Sequence, residues 1–256
     1  MKQTILAAFA ALAASATIAN AAQLRFDVLE ARFYDPVGGS VQSIDNTFGD
    51  PISIRWGTSG SQSGYDFDAA DTPFSEDPFT VFALGDFTHF NQPITAGTSI
   101  TGVNMDVRGS LTIVDDFIGE TLIGERTFSF GIAHDETTNR SPCADNPDGT
   151  PSISVCDDFV NISTLSGSDT FFVDGVEYTL NILGFSQTLA DAEAGIFSPF
   201  FGSPEGGNNV RVLAATFDES LPPPPPPVVP LPAAAWFLLG GLGSLGALRK
   251  FGSKKA

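Results

Sequence analysis

An all-β fold, built as an antiparallel β-sandwich, is what this sequence predicts, on three observations. Apolar and polar residues alternate at period two in short runs through the body of the chain. Clusters of Gly, Pro, Asp and Ser separate those runs, and about twenty phenylalanines in residues 22–221 supply a core for two sheets. That body is long enough for one domain of ordinary size, and many short half-buried strands favour a sandwich over a helical or parallel α/β architecture.

The elements follow in order. Leu24, Phe26 and Val28 alternate with Arg25 and Asp27, and Ile52, Ile54 and Trp56 with Ser53 and Arg55. Tyr65 and Phe67 give a short strand. Val103, Met105 and Val107 alternate with Asn104, Asp106 and Arg108, and Phe128, Phe130, Ile132 and His134 form another one-sided face. Phe172 to Tyr178 reads as a hairpin, because Asp174-Gly175 favours the turn whose twist matches antiparallel strands. Val210, Val212 and Ala214 close the series. About nine or ten strands are expected, with one short helix at Leu189 to Ile196 and no tandem repeat.

Both ends differ from the body. Lys2, an apolar run from Ile5 to Ile18 and the small-x-small triplet Ala19-Asn20-Ala21 predict a signal peptide over residues 1–21, cleaved after Ala21. At the other end six prolines begin a stiff spacer, residues 222–228, of polyproline II character. Residues 229–256 then comprise the motif Val229-Pro230-Leu231-Pro232-Ala233, an apolar glycine-rich stretch to Leu248, and the basic tail from Arg249. The stretch 233–248 makes about 24 Å of helix, a marginal single span that snorkelling Arg249 and Lys250 extend. The tail stays cytoplasmic by the positive-inside rule, which places the body outside.

Charge narrows the partners. All four lysines lie in the two ends, so the body sets seven arginines against all 30 acidic residues, a formal charge of 7 − 30 = −23. Such a surface repels nucleic acid and anionic headgroups and suits a medium rich in cations. The only cysteines, Cys143 and Cys156, predict one disulfide in an oxidising compartment, closing a turn-rich loop at a gain of about 3 kcal/mol. Asp145, Asp148 and Asp157, in or beside that loop, are the calcium candidates. Their spacing is not that of an EF-hand, and a solvated acidic loop is the competing reading.

The ends and one internal motif carry a family resemblance. The motif, hydrophobic span and basic tail resemble the PEP-CTERM class of sorting signals in its VPLPA variant. That resemblance implies an inner-membrane intermediate cut by an exosortase-type enzyme, then release to the cell surface or exterior; a permanent membrane anchor is the competing reading of the span. The segment Phe82 to Ile94, with Thr88, His89 and Asn91, resembles the hallmark of the THxN family of such proteins. With Arg55-Trp56-Gly57 and Ile100-Thr101-Gly102 it is similar to the exported choice-of-anchor K module. What this implies is an exported β-rich domain, structural or adhesive in exopolysaccharide or biofilm, with no catalytic residue to carry over. His89 can brace the turn before Pro93, bind a ligand or metal, or act in catalysis.

Enzymatic signatures are weak. Gly184-Phe185-Ser186-Gln187-Thr188 fails the nucleophile-elbow pattern at its last position, and the two histidines lack HExxH spacing. A secreted hydrolase is therefore a distant alternative. A carbohydrate-binding module is the nearer one, with Trp56 and Tyr65 as stacking candidates, although both fall on alternating faces that build a core.

Overall fold

The computed structural model describes residues 23–47, 49, 51–70, 74–76, 79–115, 119–138, 151, 156–166, 170–173 and 176–220. The chain divides after Ser220, and residues 221–256 lie outside the described set, as do residues 1–22. The signal peptide, the proline spacer, the sorting motif and the apolar span therefore all fall outside it. No helix among the described residues is long and apolar enough to cross a membrane.

Two antiparallel sheets pack face to face. The first has the order β12 (Phe200–Ser203), β9 (Asp158–Ser166), β8 (Gly119–Asp135), β7 (Ile100–Asp115), β1 (Gln23–Gly38), β5 (Phe74–Glu76). The second has the order β10 (Thr170–Val173), β11 (Val176–Ser186), β13 (Gly207–Ser220), β6 (Val81–Asn91), β4 (Ser61–Ala69), β3 (Ile52–Thr58), β2 (Val41–Asp45). Three long strands, β1, β7 and β8, form the middle of the first sheet, with β9, β12 and β5 outside them. The second sheet is built on β6 and β13. It is flanked by β4, β3 and β2 on one side, and by β11 and β10 on the other. One short helix, α1 (Leu189–Glu193), follows β11, with Thr188 capping its start by accepting from the Asp191 backbone N–H.

The alternation read from sequence places the inner faces. Leu24, Phe26 and Val28, Ile52, Ile54 and Trp56, Tyr65 and Phe67, Val103, Met105 and Val107, and Phe128, Phe130 and Ile132 are all buried in one core. Edge-to-face aromatic contacts knit it: Phe26 meets Phe128 at 5.6 Å and Phe217 at 6.3 Å, while Phe185 meets Phe201 at 4.9 Å. Gly109 faces Phe26 so closely that a Cβ there would lie 2.4 Å from its ring. Gly184 holds a φ of +130° at a bulge in β11, against the Ser198 carbonyl.

Two expectations are corrected. Strands β2, β5, β9 and β12 go beyond those predicted: β2, β5 and β12 are short strands at sheet edges, too brief for alternation to mark them, and β9, inside the first sheet, opens its inward phase with Asp158 in place of an apolar residue. On β13 the inner face is Leu213, Ala215 and Phe217, whereas Val210 is 47% exposed. Arg211 takes the inward phase and lies 5.0 Å over the Phe201 ring, and a bulge between Leu213 and Ala214 then shifts the register.

Candidate functional site

Strand register brings the chain's only two histidines together. In the second sheet Tyr65 on β4 is the cross-strand partner of His89 on β6. In the first sheet His134 on β8 pairs with Val160 on β9, and Asp158, at the start of β9, pairs with Ser203 on β12. Packing the sheets places His89 and His134 ring to ring at 5.1 Å, with both side chains buried.

Each histidine is bonded to the opposite sheet. His89 Nδ1 lies 2.7 Å from Ser203 Oγ, and Asn91 Nδ2 donates to the Ser203 carbonyl at 2.6 Å. His134 Nδ1 lies 2.7 Å from the Tyr65 hydroxyl, and its Nε2 lies 3.3 Å from Glu136 Oε2. Trp56 closes the group, stacked on His89 at 6.0 Å and edge-on to His134 at 5.2 Å.

Some polar atoms in this interior have no partner. They include His89 Nε2 and Asp158 Oδ2, although Asp158 Oδ1 accepts from the Thr137 backbone N–H at 2.8 Å. An unsatisfied buried polar atom costs about 1–3 kcal/mol, so both are expensive, and Trp56 Nε1 and Asn91 Oδ1 in the same group lack a partner too. Burial also fixes charge: desolvation, and then His134 alongside, hold His89 well below the ordinary imidazole range, so it is neutral. Burial first, and then Glu136 and Glu205, push the Asp158 carboxyl up to about 8, against the Thr137 hydrogen bonds. Tyr65 is raised well above the ordinary phenol range by burial and by Asp158 and Glu136.

Two groups of potential ligands share Asp158. The donor atoms of His89, His134 and Asp158 lie within 4.8 Å of one another, and so do those of Glu136, Asp158 and Glu205. A cavity of about 580 Å³ reaches the cluster from outside, lined by the 94–101 loop and by His134, Glu136 and Thr137. Chemically, the arrangement offers two imidazoles, that of His89 held neutral by burial, and a set of carboxyls at the end of a cavity.

The residues singled out in the sequence are only partly gathered here. His89 and Asn91 point inward, while Thr88 takes the outer phase of β6 and is half-buried. The bracing expected of His89 at the turn instead crosses between sheets, to Ser203 more than a hundred residues away, and Asn91 bonds to the same residue. Trp56 and Tyr65 are fully buried, so neither presents a ring for a sugar. Cys156 is buried and disulfide-bonded. Cys143, Asp145 and Asp148 lie outside the described residues. Asp157 is buried, but among the described residues the groups that could hold an ion contain its neighbour Asp158. No spacing in the sequence connects Asp158 or Glu205 with the histidines. The usable signal was a polar residue on the inward phase of a strand, as at His89 after Phe87 and at His134 after Ile132.

No family profile matches this chain, and no curated protein matches it.

Proposed function

We propose that the chain is an exported protein of the cell surface or extracellular matrix, delivered by an exosortase-type system and structural or adhesive in polysaccharide or biofilm. The observation that carries this reading is the C-terminal order of motif, apolar span and basic tail, opposite an N-terminal signal peptide. A disulfide-bonded Cys156 supports life in an oxidising compartment. The acidic body, devoid of lysine, suits a cation-rich exterior and disfavours nucleic acid. In this reading the membrane is a partner only until processing, through the span at 233–248, and Pro230 and Pro232 keep the cutting site extended by barring a regular helix. The glycan-binding alternative loses its two aromatic candidates, since Trp56 and Tyr65 lie in the core.

The test is C-terminal mass spectrometry of the protein from its native host. The mature form is expected to end at or near Val229 to Ala233, and a Pro230→Ala/Pro232→Ala variant to accumulate uncut in the inner membrane. A wild-type protein that keeps residues 234–256 at steady state is simply anchored, and the sorting assignment is then wrong. Glycan-array binding of the purified protein separates a matrix scaffold from a glycan-binding module.

A further inference from the structure

We infer that His89, His134 and Asp158 hold a divalent transition-metal ion of the zinc class between the two sheets. Three observations carry this beyond the question of sorting. First, the only two histidines of the chain come from different sheets and meet inside the core, beside a buried carboxyl, with donor atoms within 4.8 Å of one another. Second, two members of that set, each fully buried, carry a polar atom with no partner: His89 Nε2 and Asp158 Oδ2. Third, the remaining nitrogen contact of each ring is made by a hydroxyl of the opposite sheet, Ser203 Oγ for His89 and the Tyr65 hydroxyl for His134. Holding one ring nitrogen so that the other faces an ion is how protein frameworks orient imidazole ligands.

The donor set selects the metal. Calcium and magnesium take oxygen ligands, whereas two imidazoles with a carboxylate suit zinc and its first-row neighbours. Donor atoms about 2.0–2.2 Å from a tetrahedral ion stand roughly 3.4 Å apart, so the set must close by about 1.4 Å at most, within reach of side-chain rotation. Glu136 is placed to complete the shell, because its carboxylate already lies 3.3 Å from His134 Nε2 and belongs to the second group around Asp158. On binding, it passes from the imidazole to the ion. The cavity beside His134 and Glu136 gives the ion its entrance. So bound, the metal ties β6 of one sheet to β8 and β9 of the other, two residues from the disulfide-bonded Cys156.

The experiment uses the full-length chain, stripped with a chelator and titrated with Zn²⁺ alone, with Ca²⁺ at the same concentration as control. One zinc per chain is expected to survive desalting, and no calcium. His89→Gln and Asp158→Asn are expected to weaken zinc binding by more than about 100-fold with the β-sheet circular dichroism unchanged. Tyr65→Phe, which removes only the group positioning His134, is expected to weaken it about 10–100-fold. X-ray absorption at the zinc edge of the loaded wild type reads the ligands without any variant and is expected to show two imidazoles. A wild type that retains no zinc, a zinc spectrum without imidazole, or folded variants of wild-type affinity would each overturn the assignment.

Discussion

Replacing Asp158 by Asn is expected to reverse how the metal-free protein responds to pH. The carboxyl is held at about 8 in the folded chain, against 3.8 as its ordinary value. A raised carboxyl favours folding while it keeps its proton, so its contribution is complete below about pH 4 and disappears as pH rises toward 8. Four units at 1.36 kcal/mol each give on the order of 5 kcal/mol across that window. His89 acts in the opposite sense, because a buried neutral imidazole loses stability as pH falls below 6.5. The two slopes therefore oppose each other between pH 4 and 6.5, and only the Asp158 slope remains from 6.5 to 8. Glu136 and Glu205 face Asp158 and extend that window upward in pH, and the Thr137 hydrogen bonds shorten it. Urea unfolding in chelator at pH 4, 6.5 and 8 measures this. The Asn variant is neutral throughout and keeps an oxygen for Thr137, so its curve is expected to cross that of the wild type and lie above it at pH 8. Parallel curves, or a wild type that gains on the variant toward pH 8, would refute the burial and charge environment assigned to Asp158.

Other expectations concern the core. Gly109→Ala puts a Cβ 2.4 Å from the Phe26 ring, which is wedged against Phe128 and Phe217, and is expected to cost about 1–3 kcal/mol in denaturant unfolding. Tyr65→Phe leaves His134 Nδ1 buried without its hydroxyl, so the metal-free protein is expected to lose about 1–3 kcal/mol by the same assay. Reduction of the disulfide at Cys156 is expected to lower stability by about 3 kcal/mol on the chain-entropy argument, read as a lower melting temperature in reductant.

The fold was legible wherever a strand had one wet and one dry face. The runs at Leu24, Ile52, Val103 and Phe128 needed only their period to be placed, and each lies in the core. The strand at β2 was invisible because four of its five residues are exposed at the sheet edge. On β13 a basic residue, Arg211, occupies the inward phase, so reading Val210 and Val212 as the buried face chose the wrong side. The site was half legible. His89 and Asn91 stood out by their motif and His134 by its place on an aromatic face. Their meeting depends on how two sheets stack, which no local pattern encodes. Asp158 looked like one more carboxylate in an acidic stretch, and only its pairing beside Ser203 marks it off from Asp157.

His89 and His134 face each other inside the sandwich, and imidazole NMR of the full-length, metal-free chain tests this most directly. A ring-to-ring nuclear Overhauser effect between His89 and His134 is predicted, consistent with centroids 5.1 Å apart. His89 is predicted to remain neutral well below pH 6.5. Two rings with no mutual contact, with His89 titrating near 6.5 as a solvent-exposed imidazole does, would contradict the packing of the sheets and the site built on it.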